Sequence, residues 1–206
     1  MRKKIISAML ILTCALLLFG CATTMSLSPA NAKRIHTVYV NPKVTTPKEM
    51  YYMGSGFGFL FGGIGGAVQA AANQSPGERM ALFARQHGIY IERIVQDEVI
   101  QQLKAKTAFR VTNSKQADAT INLKIKTYGL SVPTTFSTGV KPMIDIEANM
   151  VDRQNQMIWA NSDSVLPLSP GMPEYSTKAI GKNPQLLKKM WEAAAGKSVS
   201  NIVESL

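Results

Sequence analysis

The sequence contains few of the residues from which metal sites and disulfide-stabilised scaffolds are built. Its 206 residues include two cysteines and two histidines. Two thiols are too few for a disulfide framework, and so few cysteine and histidine ligands predict that the protein holds no metal ion. Charged residues make up 17% of the chain and hydrophobic residues 46%, a balance that excludes disorder along its whole length. We therefore expect one compact domain with short appendages.

The sequence also lacks complete signatures of the common nucleotide-binding and hydrolytic sites. The triplet Gly-Lys-Ser at 196–198 resembles the end of a phosphate-binding loop, but Trp191 stands where that loop requires glycine. Asp145 and Glu147 lie two residues apart in a predicted strand and so share one face of it, which suits either an acid–base pair or a solvated sheet surface. We expect no enzyme activity and no cofactor.

The amino terminus has the organisation of a secretory signal. A basic start at 1–4 is followed by an apolar run over 5–19, which ends in Leu-Phe-Gly-Cys at 18–21. A run of this length is typical of the hydrophobic region of a signal peptide and is short of the roughly 20 residues needed to cross a bilayer. A signal peptide with an incidental cysteine, or an uncleaved anchor, would share these features.

The ending at 18–21 resembles the lipobox of bacterial lipoproteins. The resemblance implies that residues 1–20 are a signal peptide, that cleavage occurs before Cys21, and that this residue is then acylated and holds the protein on a membrane. The next residue is Ala22 rather than the aspartate that retains enteric lipoproteins in the inner membrane, which favours the periplasmic face of the outer membrane. Several acyl chains would anchor a domain effectively permanently.

The mature chain divides into a short tether and one domain. Residues 21–32 are small, polar and uncharged, so we expect a flexible tether there, followed by a single periplasmic α+β domain over 33–206. Alternating and helical hydrophobic patterns predict a small antiparallel or mixed sheet with two main helices on one face and water on the other. The predicted strands cover 35–40, 109–111, 119–127, 144–150 and 157–160, and the predicted helices run from 78 to 103, with a break at Gly88, and from Asn183-Pro184 to the end.

A longer pattern in these strands resembles a group of envelope lipoproteins. Ala-Asp-Ala at 117–119 opens a long strand that closes in Tyr128-Gly129, and a second strand ends in Val151-Asp152 before a polar turn and a strand with Trp159. This arrangement is similar to that of the lipoproteins related to the curli-secretion pore protein and the amino-terminal domain of TolB. The resemblance implies their fold, but pore activity does not follow, because the glycine-rich segment here precedes the first long helix.

That glycine-rich segment is the most unusual part of the sequence. Residues 51–77 carry no charge, and glycines recur every four positions from 54 to 66. In a helix this spacing forms a ridge of small residues that lets another backbone approach, whereas the alternation of Phe57, Phe59 and Phe61 fits a strand instead. A loop packed on its own domain is the third possibility. The expected membrane or oligomer contacts are Gly54, Gly58, Gly62, Gly66, Phe57, Phe61 and Ile64.

Charge and composition together favour a non-enzymatic envelope protein. Loss of Arg2, Lys3 and Lys4 with the signal peptide leaves 20 basic against 13 acidic residues, a net charge of +7. The basic residues are scattered and are not interleaved with aromatic ones, so we expect no nucleic-acid partner. The leading expectation is an outer-membrane lipoprotein that acts as an accessory or assembly subunit of an envelope transport or secretion complex, as a homo-oligomer or with other envelope proteins. The alternative is a lipid- or glycan-binding module that uses the glycine- and phenylalanine-rich segment.

Overall fold

A computed structural model describes residues 24–54 and 74–206 of the chain. The helices in these ranges are α1 (Pro29–Arg34), α2 (Pro76–Gln86), α3 (Ile91–Lys106), α4 (Thr177–Lys182) and α5 (Gln185–Val203). The strands are β1 (Thr37–Val40), β2 (Tyr51–Met53), β3 (Arg110–Thr112), β4 (Ala119–Ser131), β5 (Lys141–Asp152) and β6 (Met157–Val165). None of the helices in the two described ranges is both long and apolar enough to cross a bilayer.

The six strands form one mixed sheet, which confirms the predicted fold class. The strand order is β3-β1-β4-β5-β6, with β2 also paired to β4. The long strands β4, β5 and β6 are antiparallel neighbours, whereas β1 runs parallel to β3 and β4. The polar turn predicted after Asp152 is present and makes β5 and β6 a hairpin. Asn155 in this turn has a φ of 60°, a left-handed conformation that asparagine tolerates well.

β1 and β2 lie end to end along the edge of β4 that faces away from β5. Val38 pairs with Ala119 near the start of β4, and Tyr51 pairs with Gly129 near its end. Between them, the backbone amide of Thr45 donates to the Leu123 carbonyl oxygen over 3.1 Å, which keeps the connecting chain on the same edge. The chain before the glycine-rich segment is therefore guided along β4 to the end of the sheet.

The hydrophobic core lies between one face of this sheet and the two longest helices. The apolar stripe predicted for α3 (Ile91, Ile94, Val95, Val99 and Leu103) is buried in full, as the 3.6-residue period requires. α5 packs against α3, β5 and β6, with Trp191 buried and in edge contact with Tyr128. The arrangement confirms two main helices on a single face.

The opposite face of the sheet is polar. A row of three amides crosses neighbouring segments, because the Asn41 side chain donates to the Asn122 oxygen over 3.0 Å and Asn122 donates to Asn149 over 3.1 Å. Each amide thus satisfies part of the next one's hydrogen-bonding capacity. The row joins polar side chains of β4, of β5 and of the chain just after β1 on the sheet face away from α3 and α5.

The amino-terminal part of the described chain differs from the predicted tether over 21–32. Met25 pairs with Ala160 on the free edge of β6, with amide–carbonyl distances of 2.7 and 2.9 Å in the two directions. Ser28 then caps α1, and Pro29 occupies its first turn. The physical reason is that Ser-Pro starts a helix and that pairing satisfies backbone groups on an otherwise open sheet edge.

Three boundaries near the carboxyl terminus also differ from expectation. β6 continues to Val165, five residues beyond its predicted end, and α4 lies in a stretch for which no helix is predicted. Helix α5 begins one residue later than predicted, with Pro184 at the N-cap position. The side chain of Asn183 still supports this start, because its oxygen accepts the amide hydrogen of Gln185 over 3.2 Å.

Candidate functional site

Most of the residues that the sequence nominates for lipid attachment and contact lie outside the described ranges. These are Cys21, Phe57, Gly58, Phe61, Gly62, Ile64 and Gly66. Gly54 is described and follows β2 directly. A Cβ atom at this position would lie 2.9 Å from Cγ1 of Val140 and 3.0 Å from the Tyr52 hydroxyl, so glycine permits the close packing that starts the segment.

Both ends of the glycine-rich segment are fixed at one place beside β4. The backbone of Met50 and Tyr51 passes between two glycines, Gly77 at the start of α2 and Gly129 in β4. A Cβ atom at Gly77 would lie 1.9 Å from the Met50 carbonyl oxygen, and one at Gly129 would lie 1.9 Å from that of Tyr51. Neither distance is possible for a real side chain, so the two glycines are what allow these three chain segments to meet.

The second end of the segment is held by the cap of α2. Ser75 and Glu78 form a reciprocal capping box, in which the Ser75 hydroxyl accepts the Glu78 amide over 3.1 Å and a Glu78 carboxylate oxygen accepts the Ser75 amide over 2.9 Å. The Ser75 hydroxyl also donates to Glu49 over 3.1 Å, which ties the cap to the chain before β2. The segment therefore leaves and re-enters the domain through neighbouring, hydrogen-bonded residues.

A shallow depression of about 410 Å³ lies where the two ends of the glycine-rich segment meet β4, a place that we call the root of the segment. Its lining mixes apolar and polar groups, and burial raises the pKa of the Tyr52 phenol there. The residues that line it are Pro47, Glu49, Met50, Tyr51, Tyr52, Ser75, Pro76, Gly77, Lys126 and Thr127. The depression is a feature of the segment's root, where the chain before β2 and the start of α2 meet β4.

The end of the sheet where β4 stops and β5 starts carries a group of exposed apolar side chains. We call this group the apolar end, and it consists of Tyr51, Met53, Phe136, Leu166 and Leu168. Phe136 is 94% exposed in the β4–β5 connection, and Leu168 is 72% exposed just after β6. The connections at 132–140 and 166–173 contain no charged residue, and neither does 51–54. Exposed apolar side chains gathered at one place indicate an interaction surface.

Hydrogen-bonded turns hold two of these side chains away from the core. The Ser169 amide donates to the Leu166 carbonyl oxygen over 2.9 Å, while the Ser169 hydroxyl accepts the Leu166 amide over 3.0 Å. A similar turn carries Phe136, because the Ser137 amide donates to the Thr134 carbonyl oxygen over 3.1 Å. The exposure of Phe136 and Leu168 is thus built into turns with defined backbone hydrogen bonds.

The other end of the sheet is charged. Arg34 pairs with Asp152 at 3.2 Å, and Arg153 pairs with Asp118 at 2.8 Å. Asp118 also accepts the Thr37 hydroxyl over 2.8 Å and the amides of Thr37 and His36 over 2.8 and 3.0 Å. These interactions lower the pKa of Asp118 to about 2. The hydrogen bond from the Thr37 hydroxyl contributes most to the lowering, the two amide hydrogen bonds come next, and the positive charge of Arg153 contributes less.

Asp145 and Glu147, the candidate acid–base pair, form part of an ion-pair network on the polar sheet face. Lys126 lies 3.5 Å from Asp145 and 3.2 Å from Glu147, and Lys124 lies 3.3 Å from Glu147. Partial burial raises the pKa of Glu147, but hydrogen bonds from Lys126 and Lys124 outweigh that effect and lower it overall. The geometry supports the solvated-surface interpretation. Over 24–54 and 74–206, no three acidic, cysteine or histidine side chains are grouped as metal ligands.

Sequence reasoning missed the apolar end. Its members come from β2 and from the connections after β4 and β6, which lie far apart in the chain, and each of these contributes only one or two exposed apolar residues. No periodicity links them, because the sheet alone brings these connections together. The only signal available was the absence of charge, which the sequence shows for each connection separately.

Comparison with known proteins identifies likenesses of shape only. No protein-family model matches the chain, and no curated protein matches its sequence. Among solved structures, a DUF330 protein from Xanthomonas campestris matches with a TM-score of 0.47 and 10% identity, over 88% of this chain and 90% of that one. A PelC dodecamer from Paraburkholderia phytofirmans gives a TM-score of 0.32 and 10% identity, over 81% and 86% of the two chains. The lipoprotein GNA1162 from Neisseria meningitidis gives a TM-score of 0.29 and 14% identity, over 75% and 96%. These values assign no family, so the function has to be inferred from this chain's own residues.

Proposed function

We propose that the protein is a lipoprotein, acylated at Cys21 and held at the periplasmic face of the outer membrane. Its α+β domain serves as a non-enzymatic accessory or assembly subunit of an envelope transport or secretion complex. The basic start, apolar run and Leu-Phe-Gly-Cys ending at 18–21 support acylation. The pairing of Met25 with Ala160 supports a short connection, because the folded domain begins only four residues after Cys21.

The observation that carries the accessory role is the rooted glycine-rich segment. Its two ends are fixed between Gly77 and Gly129, so the uncharged segment is attached to the domain at one defined place. Seven of the thirteen residues from 54 to 66 are glycine. Each interior glycine costs about 1 kcal/mol relative to alanine in an aqueous helix, so a helix there requires lipid or another chain as its environment. We assign to this segment a contact with the membrane or with a second copy.

The polar sheet face supports a non-enzymatic role. Its carboxylates, Asp145 and Glu147, are engaged by Lys124 and Lys126 in ion pairs that suit a solvated surface. A general acid or base needs a pKa tuned toward neutrality, and the ammonium groups shift the pKa of Glu147 the other way. The domain accordingly acts through its surfaces.

Metabolic labelling with radioactive palmitate tests the anchor. We expect label in the wild-type protein and none in Cys21→Ala, with the wild-type protein recovered in the outer-membrane fraction of a density gradient. Equal labelling of both proteins, or none in either, would contradict acylation at this residue.

Affinity purification of the wild-type protein from gently solubilised membranes tests the accessory role. We expect the wild-type protein to retain defined envelope proteins that are absent when Cys21 is replaced.

A further inference from the structure

We infer that the domain lies with its apolar end against the bilayer surface, so that Phe136, Leu166 and Leu168 contact the boundary between headgroups and acyl chains. This orientation rests on the proposed acylation of Cys21 and adds a second, peptide-borne contact to the lipid anchor. Two separate observations carry it, namely the direction in which the chain leaves the fold and the chemistry of the apolar end.

The first observation is the antiparallel pairing of Met25 with Ala160. β6 runs from Met157 toward Val165, the residue that precedes the exposed leucines. Because the pairing is antiparallel, the backbone from Met25 back to Thr24 points toward Val165 and thus toward the apolar end. The charged end, with Asp152 and its partner Arg34, lies in the opposite direction.

The distances suit this direction. Cys21 precedes Met25 by four residues, a span of at most about 14 Å in an extended chain. Ala160 precedes Val165 by five residues, or about 17 Å along a strand. A chain of this length is therefore long enough to bring Cys21 nearly to the level of the apolar end. The same chain is too short to let the domain stand far from the membrane.

The second observation is that the apolar end has the features of an interfacial surface. Phe136 and Leu168 are held outward by hydrogen-bonded turns, so little further order has to be imposed when lipid covers them. Exposed cations lie nearby, because α4 begins two residues after Tyr175, which pairs with Val140 at this end, and carries Lys178 and Lys182. Aromatic and leucine side chains next to lysines are the combination that binds the interface of anionic membranes.

A bilayer is therefore the occupant that both observations favour. A second copy or another protein would also cover apolar side chains, but neither explains why the chain that leads to the acylated residue points to the same end. The connections of the apolar end contain no acidic group before Glu174, and this carboxylate faces Lys141 at 4.0 Å. The surface thus presents little negative charge to repel anionic lipids.

A fluorescent probe at Leu168 tests the orientation in the full-length acylated protein. In Leu168→Cys the new thiol is the only free one in the mature chain, because Cys21 is acylated and Cys14 leaves with the signal peptide. The labelled protein is reconstituted in vesicles of phosphatidylethanolamine and phosphatidylglycerol that contain a nitroxide-bearing lipid. We expect the nitroxide to remove most of the emission at Leu168→Cys and at a second site, Phe136→Cys, and to leave emission unchanged at the control Gln154→Cys on the charged end.

The same samples separate this inference from the proposed anchor. Palmitate content is measured in each, and its absence would overturn acylation itself. Normal acylation with equal quenching at Leu168 and Gln154, or with quenching at Gln154 alone, would overturn the orientation. Protection of the Leu168 probe from aqueous iodide without quenching by the nitroxide lipid would show that protein and not lipid covers the apolar end, which also overturns contact with the bilayer.

Discussion

At the scale of single residues, two glycines determine how the glycine-rich segment is attached. Gly77 and Gly129 lie on either side of the Met50–Tyr51 backbone, and each occupies a position where a Cβ atom would lie 1.9 Å from a carbonyl oxygen. Both positions require glycine because there is no space for a side chain, and not because the backbone adopts a left-handed conformation. A side chain at either position has to push the strand β2 away from its neighbours.

Gly129→Ala should therefore destabilise the domain by about 1–3 kcal/mol, the usual cost of forcing an extra carbon into a packed site. Urea unfolding followed by circular dichroism measures this free energy. Gly196→Ala is the matched control, since that glycine lies inside α5 and its new Cβ would be 3.4 Å from the nearest atom, a Glu98 oxygen. We expect the control to gain about 0.5–1 kcal/mol because alanine is the better helix former. A Gly129→Ala protein as stable as the wild type would contradict close packing of β2.

Asp118 is the residue whose ionisation matters most for the charged end. Its folded-state pKa is lowered to about 2 from an ordinary value of 3.8, so the folded state favours the ionised carboxylate. The stabilisation is therefore fully present above about pH 4 and is lost as the pH falls toward 2. In Asp118→Asn we expect lower stability at neutral pH and a smaller loss of stability between pH 4 and pH 2. Urea midpoints across this range measure both, and an unchanged acid dependence would show that the hydrogen bonds to Asp118 do not shift its pKa.

At the scale of secondary-structure elements, the start of α2 closes the root of the glycine-rich segment. Ser75→Ala removes the hydroxyl that accepts the Glu78 amide and donates to Glu49. We expect a loss of about 1 kcal/mol, typical of a removed N-cap. Ser176→Ala removes the equivalent cap of the short helix α4 and serves as the comparison. Limited proteolysis should then cut the Ser75→Ala protein near the root faster than it cuts the Ser176→Ala protein there. Equal rates of cleavage in the two variants would show that this cap does not hold the root in place.

Elements with a strong periodic signal were predictable from the sequence. The stripe of α3, the alternation in β4 and β5 and the turn into β6 all follow from local hydrophobic patterns, and each is found in the structure. β2 and the pairing of Met25 with Ala160 were not predictable, because a three-residue strand and a single bridge leave no periodic trace. The apolar end was not predictable either, because the tertiary structure brings together residues that no local sequence pattern connects.

The glycine ridge proposed at 54–66 makes a prediction at this same scale. If Gly58 and Gly62 face a second copy or another helix, replacing both by leucine should abolish the oligomer that chemical crosslinking detects in native membranes. Gly56 and Gly63 lie in the same segment but off the four-residue spacing, so their double leucine variant should crosslink as the wild type does. Loss of crosslinking in both double variants, or in neither, would reject the ridge.

At the scale of the whole molecule, the domain has two unlike ends. Charged pairs around Asp118 and Asp152 occupy one end of the sheet, and exposed apolar turns occupy the other. The backbone from Met25 back to Thr24 points toward the apolar end, where β2 also ends at the start of the glycine-rich segment. A protein tethered by lipid with this polarity would offer its charged end and its polar sheet face to periplasmic partners, which suits an accessory subunit.

Acylation of Cys21 is the claim on which this arrangement depends, and the mass of the amino-terminal peptide tests it most directly. The protein is purified from membranes and digested, and its first peptide is analysed by mass spectrometry. We predict that the mature chain begins at Cys21 and that this residue carries a thioether-linked diacylglycerol. A mature chain that begins at any other residue, or a Cys21 with a free thiol, would contradict the account.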